Sequence, residues 1–342
     1  MALHGRFNDA LQKLVRHKKH VKKSEITKFA KSAFAINKRP TFLALSIALV
    51  LLPGNNYYLD LTLVPKEPFI RSVSLDLPPP INFPVWDTSI KPPTVSARAA
   101  IVVDVNSASV LYEKNPNEQL LPASTTKVMT ALVALRHFQL NEIVTVKQAG
   151  RAIGQTMKLK EGERMRIHDL LYGLLLESGN DAAFALAENF PGGYSAFVEE
   201  MNRLALEYYL ENTQFRNVSG VDQPGHYTTV KDLARLAAVA MKNPVFSEIV
   251  ATQERVVTNV EGTIAHPLAN RNELLGNVAG IRGVKTGWTE QAGECLVTDT
   301  LRDGNEIIAV VLGSRNRFGE SAALIEWAYR AHTWVEPRNE HY

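Results

Sequence analysis

Between Arg98 and Ala331 the chain carries two kinds of apolar pattern, and each predicts its own element. Ala99 to Val105 and Val110 to Lys114 are short runs rich in β-branched residues. With the polar stretch Asn106-Ser107-Ala108 between them they read as two strands and a turn. Helical spacing then takes over at 124–137, 168–176, 181–189, 195–209 and 230–241. Strand patterns return at Val284–Gly287, Glu294–Thr300 and Glu306–Leu312, the last two joined around Asp303-Gly304. Ser321 to Ala331 closes the pattern as a helix.

The first 95 residues follow a different logic. Thr41 to Leu52 is an uncharged apolar run of 12 residues, with Lys38 and Arg39 before it and Pro53-Gly54 after it. A full membrane span needs ~20 such residues, so the run is closer in length to a signal-peptide core. The basic region ahead of it is some 40 residues long, however, and no small-x-small cleavage site follows. The expectation is an uncleaved signal anchor, preferred over a cleaved signal and over a buried core helix. Phe7, Leu11, Leu14 and Val15 recur at helical spacing among basic residues, the pattern of a surface-lying amphipathic helix. Residues 63–95 hold eight prolines, which predicts an extended spacer that neither pairs as strand nor runs as helix. The predicted organisation is a basic tail at 1–40, an anchor segment at 41–58, a Pro-rich linker at 59–95, a folded domain at 96–335 and a short tail at 336–342.

Composition changes this picture in one respect. Across 342 residues, 45% apolar and 21% charged content suits a globular protein with a sizeable core. The net charge of +3 hides an asymmetry: residues 1–40 carry 11 Lys/Arg against 2 Asp/Glu, a balance of +9, so the other 302 residues sum to −6. The folded part is mildly acidic and gives no sign of nucleic-acid binding. The basic tail fits the cytoplasmic side of a membrane. Cys295 is the only cysteine, so no intramolecular disulfide forms; its apolar, strand-like setting predicts a buried thiol. The nine histidines show no metal-ligand spacing, and neither a metal nor a cofactor is expected.

Candidate chemistry begins at Pro122-Ala-Ser-Thr-Thr-Lys127. Ser124 and Lys127, three apart at the start of a helix, share one turn and face the same way. An amine within reach of a hydroxyl is what a weak nucleophile needs. Ser178-Gly179-Asn180 and Lys285-Thr286-Gly287 follow downstream, in the order seen in serine acyl-transferases that recognise penicillin. Taken alone, Ser-Gly-Asn ahead of a helix reads as an N-cap cluster. Beside the other two motifs it reads as part of a site.

These residues and their surroundings resemble the low-molecular-mass penicillin-binding proteins, and within them the serine D-alanyl-D-alanine carboxypeptidases. The resemblance runs from about Ala97 to about His332. It includes AAIVVDVNSASVLYEKN at 99–115, LPASTTKVMTALVAL at 121–135, ESGNDAAFALAE at 177–188, DQPGHYTTVKDLARLA at 222–237 and GVKTGWTEQAGECLV at 283–297. It implies an α/β (α+β) fold: an antiparallel sheet flanked by helices, an all-helical lobe, and the active site between them. It implies removal of the terminal D-Ala from peptidoglycan stems, and β-lactams as inhibitors. Many such enzymes add a β-rich domain and an amphipathic anchor helix after this one. Here the expected tether is N-terminal, holding the protein in the cell membrane by one pass with its catalytic domain outside.

By the same resemblance Ser124 is the nucleophile and Lys127 the proton acceptor, which must be held neutral by burial and a second charge, with Lys285 the candidate. Ser178 relays a proton, and Asn180 donates to the peptide and fixes Lys127. Lys285 and Thr286 bind the terminal carboxylate, Gly287 leaves room for the ligand backbone, and the N–H groups of Ser124 and Trp288 form the oxyanion hole. Arg282 and Thr289 are secondary candidates for carboxylate contacts. Asp222 to Thr228 reads as a turn and helix cap, with His226 structural; Asn270 to Leu275 shapes the cleft edge. A β-lactamase of class A needs Glu-x-x-Leu-Asn, and the nearest string, Glu273-Leu274-Leu275-Gly276-Asn277, lacks that leucine. A D,D-endopeptidase and a penicillin-binding sensor remain as alternatives.

Overall fold

Apolar residues at consecutive positions of a strand point to opposite faces, so a strand with no polar alternation needs cover on both sides. That requirement organises the structure, a computed structural model that describes residues 81–148 and 152–337. In chain order the elements are β1 (Phe83–Trp86), β2 (Ala99–Asp104), β3 (Val110–Lys114), a 3₁₀ turn (Ala123–Thr126), α1 (Lys127–His137), β4 (Ile143–Thr145), β5 (Arg164–Arg166), α2 (Ile167–Leu175), α3 (Asn180–Glu188), α4 (Gly193–Glu207), α5 (Val230–Met241), α6 (Pro244–Ala251), β6 (Glu254–Thr258), β7 (Ala265–Ala269), β8 (Ile281–Thr289), β9 (Gly293–Arg302), β10 (Asn305–Ser314), α7 (Arg317–Ala331) and β11 (His332–Val335).

Five strands form one antiparallel sheet in the order β3-β2-β10-β9-β8. Its register pairs Ile308 with Val103, Val310 with Val297 and Lys285 with Val297. Ala100, Val102, Leu296, Ile307, Ala309 and Val311 face α7, where Leu324, Ile325, Trp327 and Ala328 cover them. Their alternates Ile101, Cys295, Val297, Ile308, Val310 and Leu312 face the helical lobe and join its core. The fold class implied by the sequence therefore holds. β8 lies at the sheet edge, where its free side fronts the lobe.

The sequence-based boundaries need one correction. The linker was expected to run to residue 95 without pairing, yet β1 pairs antiparallel with β11, from Phe83↔Val335 to Trp86↔His332. A two-stranded ribbon leaves one side of each strand unpaired, so the missing N–H of Pro84 costs nothing there. Trp86 also packs on Trp327 and His332, with ring centroids 6.1 and 6.4 Å away, and Asp87 N–H donates to the Ala331 carbonyl at 2.7 Å. The folded unit thus starts ahead of Phe83, not at 96. The expected tail (1–40), anchor segment (41–58), linker residues 59–80 and the end of the C-terminal tail (338–342) lie outside the described residues. Among the described residues no helix is long and apolar enough to cross a membrane.

Candidate active site

The nucleophile turn is set by backbone before any side chain acts. Ala123 has φ 47°, which swings the chain into the 3₁₀ turn that carries Ser124, and α1 follows from Lys127. Gly220, at φ +88°, presses on this turn so closely that a Cβ would sit 1.8 Å from the Ala123 carbonyl oxygen. On the other side, a Cβ on Gly287 of β8 would lie 3.0 Å from Ser124 N and from Ala123 Cβ. Only glycine lets the edge strand approach the turn this far.

Lys127 is fully buried, and its Nζ lies 2.9 Å from Ser124 Oγ and 2.8 Å from the Ser219 carbonyl oxygen to which it donates. Burial first, and the charge of Lys285 second, hold the amine well below the usual lysine range, against the opposing pull of Asp181. A neutral amine has a lone pair for the Ser124 proton. The expected positions of Ser124 and Lys127 are therefore brought together. Asn180, expected to fix Lys127, makes no hydrogen bond to it: its Nδ2 donates to the Ile153 carbonyl at 2.5 Å. The Ser219 carbonyl does that job, because the loop after Phe215 is folded by Asn217, whose Oδ1 accepts from Ser219 N–H and Gly220 N–H.

Ser178 and Asn180 are not helix caps, since α3 begins with Gly179 at its N-cap and no side-chain bond there. Asp181 instead ties the helix start to the preceding wall, accepting from Met157 N–H at 3.0 Å and Leu159 N–H at 2.9 Å. Ser178, at φ 61°, and Asn180 are each 6% exposed and line the cleft, with Ser178 Oγ and Asn180 Oδ1 unpartnered among the described residues. Buried polar atoms of this kind cost about 1–3 kcal/mol each unless a ligand completes them.

The cleft holds about 500 Å³ between β8, α3 and the Ser219–Val221 loop. Thr286, Gly287 and Trp288 line it, the indole 62% exposed. Lys285 sits behind that wall: it is buried, donates to the Thr286 carbonyl at 3.0 Å and is pushed down to about 7 by burial, then by Arg317 and Arg271, with Glu177 opposing. Among the described residues, the cations that do reach the cleft are Arg271 and Arg317. Arg271 is paired with Glu177 at 2.6 Å, while Arg317 donates to the Gly287 carbonyl at 2.9 Å and its Nε has no partner among the described residues. Arg317 was missed in the sequence because it enters from the start of α7, outside every motif. Arg282, offered as a carboxylate contact, is spent on Asp299 at 2.6 Å and Glu306 at 2.9 Å. Thr289 lines the cleft but donates to Asp222 at 2.7 Å.

His226 is structural, as its sequence setting suggested. Its Nδ1 accepts from Arg216 N–H at 2.9 Å, so the proton is on Nε2, which donates to Thr126 Oγ1 at 2.9 Å. Burial, then Arg216, pushes it down to about 4, which keeps it neutral beside the nucleophile turn. Cys295 is a buried thiol pushed up to about 11 by burial.

A serine with its own buried lysine, facing an edge strand across a cleft, defines the serine peptidases whose general base is an amine. The sequence profile of the D-alanyl-D-alanine carboxypeptidases, peptidase family S11, matches residues 87–316, and the chain belongs to that family. It is 37% identical over 267 residues to the D-alanyl-D-alanine carboxypeptidase DacC of Escherichia coli, a stretch that covers 73% of this chain and 66% of that protein. It is 31% identical over 263 residues to a D-alanyl-D-alanine endopeptidase of Pseudomonas aeruginosa, covering 75% and 83%. The match to Bacillus subtilis DacF spans 62% of that relative, so the chain covers under two thirds of the length of some curated relatives. The crystal structure of the Streptomyces K15 DD-transpeptidase superposes with a TM-score of 0.67 at 30% identity, over 70% of this chain and 100% of that one.

Proposed function

We propose that this protein is a serine D-alanyl-D-alanine carboxypeptidase that removes the terminal D-Ala from peptidoglycan pentapeptide stems. The observation that carries it is the buried, depressed-pKa Lys127 amine 2.9 Å from Ser124 Oγ. Ser124 attacks the penultimate D-Ala carbonyl while its proton passes to Lys127 Nζ. The Ser124 and Trp288 N–H groups receive the oxyanion, the C–N bond breaks, and the leaving amine takes a proton by way of Ser178 and Lys127. Water then hydrolyses the Ser124 ester. Asn180 Oδ1 and the free edge of β8 hold the peptide extended. Thr286 and Arg317 take its carboxylate, with Lys285 behind them adding positive field as the arriving anion favours its protonated form. β-Lactams, whose leaving group stays tethered, acylate the same serine and block water.

The test is release of D-alanine from a muramyl-pentapeptide by the wild type, with a C-terminally amidated pentapeptide as comparison. Losing a charge-assisted contact of about 2–3 kcal/mol should cost roughly 30- to 150-fold in kcat/KM for the amide. The endopeptidase relative motivates the second reading, cleavage of cross-links. Equal turnover of amide and acid would favour that reading and overturn the first.

The localisation proposed is a single-pass anchor with the catalytic domain on the extracytoplasmic side. Its support is the +9 tail beside the Thr41–Leu52 run. The native protein should keep its original N-terminus and resist alkaline extraction from membranes. A soluble product beginning near residues 54–60 would overturn it.

A further inference from the structure

Ser178, the serine placed to relay a proton, stands in a conformation that its residue type does not favour. Its φ of 61° lies in the left-handed region, where a residue with a Cβ persists only if the surroundings over-determine it. The chain on either side is pinned accordingly. Gly179 N–H donates to the Gly173 carbonyl at 2.9 Å, and Asn180 N–H to the Gln155 carbonyl at 2.7 Å. Ahead of Ser178, the Leu176 carbonyl accepts from Arg271 N–H at 3.2 Å. A further hold is made by a side chain, that of Glu177. Its Oε1 accepts from Ala269 N–H at 2.9 Å, and its Oε2 accepts from Arg271 Nε at 3.2 Å and Arg271 Nη2 at 2.6 Å. Three donors converge on one side chain that is only 12% exposed. An exposed ion pair contributes little. A shielded carboxylate bonded to a backbone N–H as well as to a guanidinium fixes both partners.

We infer that Glu177 is a positioning residue for acyl transfer: it straps the Ala269–Arg271 segment to the residue before Ser178, and so holds the Ser178 hydroxyl where it hands a proton to the leaving amine. The inference rests on the carboxypeptidase reading of the cleft. Ser178 Oγ has no partner among the described residues, so its place is set by the backbone, and the backbone by the strap. The far end of the strap is itself anchored, because Asn270 Nδ2 donates to the Val250 and Thr252 carbonyls at 3.0 Å each, at the end of α6. Without the Glu177 carboxylate, Ala269 N–H and the Arg271 guanidinium lose their acceptor. The Arg271 N–H bond to Leu176 is then the one hydrogen bond tying the two segments among the described residues. Ser178 is freed to relax from its left-handed φ, and its hydroxyl leaves the path between Lys127 and the departing nitrogen. Leaving-group chemistry separates this role from a general loosening. An amide nitrogen departs only with a proton, so peptide cleavage uses Ser178. A thiolate, the base of an acid near ~8.5, departs as the anion and has no use for the relay.

The experiment compares Nα,Nε-diacetyl-L-lysyl-D-alanyl-D-alanine with the thiolester in which D-thiolactate replaces the leaving D-alanine; both keep the terminal carboxylate. The quantity read is kcat/KM, which covers the steps up to the acyl-enzyme. Glu177→Ala should lower it roughly 30-fold for the peptide and less than about threefold for the thiolester, the gap being the part of general acid catalysis that depends on placement. Glu177→Gln keeps one oxygen and the side-chain volume. It should show the same peptide-selective loss in smaller size, and it carries the test if the alanine variant does not fold. In a Ser178→Ala background, Glu177→Ala should cost less than about threefold on the peptide, because no hydroxyl is left to place. Equal losses on both substrates, or losses that multiply fully in the double variant, would overturn the positioning role while leaving the carboxypeptidase intact. No D-alanine released by the wild type would overturn the carboxypeptidase reading and this inference with it.

Discussion

Lys127 shows how one residue acquires its chemistry from its surroundings. A free lysine titrates near ~10.4 and is a cation at neutral pH; here burial, and then Lys285, press it towards the neutral form. Lys285 is itself held near 7, so its charge, and its push on Lys127, is present mainly below that pH. Lys285→Gln should therefore let the Lys127 pKa rise. The acid limb of the β-lactam acylation rate should move to higher pH, which stopped-flow acylation across pH 5–9 would show; a limb that stayed in place or moved to lower pH would contradict the coupling. Arg317 offers a second prediction. Arg317→Leu should raise KM for a pentapeptide acid roughly 10- to 100-fold and leave the amidated peptide nearly unchanged, because only the acid uses the guanidinium. At this scale Ser124, Lys127, Ser178, Asn180 and the Lys285 strand were legible because each motif is contiguous. Arg317 and the Ser219 carbonyl were not, because only the fold carries them to the cleft; Arg271 was legible as part of the cleft edge, which it lines.

At the level of elements, the site depends on how α3 holds the wall in front of it. Asp181 accepts from Met157 and Leu159, and the Asn180 N–H donates to the Gln155 carbonyl at 2.7 Å. A carboxylate that satisfies two buried N–H groups of one segment is worth more than an exposed pair. Asp181→Ala should cost about 3 kcal/mol in denaturant unfolding and slow β-lactam acylation at least tenfold, since Met157 and Leu159 lose their anchor. Unchanged stability would mean that the wall is held by other contacts. The long elements were readable from period alone: α5 falls at 230–241, as its spacing predicts, and β2, β9 and β10 lie within a few residues of the expected strands. The short ribbons β4–β5 and β6–β7 have three to five residues per strand, too few for a period to emerge. Helix α6 was overlooked although Asn243-Pro244 spells its start: the Asn243 side chain accepts from Val245 and Phe246 N–H, with Pro244 at the first turn.

The folded unit as a whole closes through its ends. β1 and β11 are far apart in sequence, and their pairing could not be read from proline content, which argued for a spacer. A chain starting at residue 96 should be less stable than one starting at Ile81, having lost the ribbon and the packing of Trp86 on Trp327 and His332. The expected loss is about 2 kcal/mol, or roughly 4–8 °C in Tm. Identical melting temperatures would show that β1 contributes nothing to the unit.

The central claim is that Ser124 is the acylated nucleophile, and covalent trapping tests it most directly. The protein incubated with benzylpenicillin should gain the mass of one intact penicillin, and peptide mapping should place the ester on Ser124, with Ser124→Ala taking up none. An adduct on any other residue, or equal uptake by Ser124→Ala, would contradict the account.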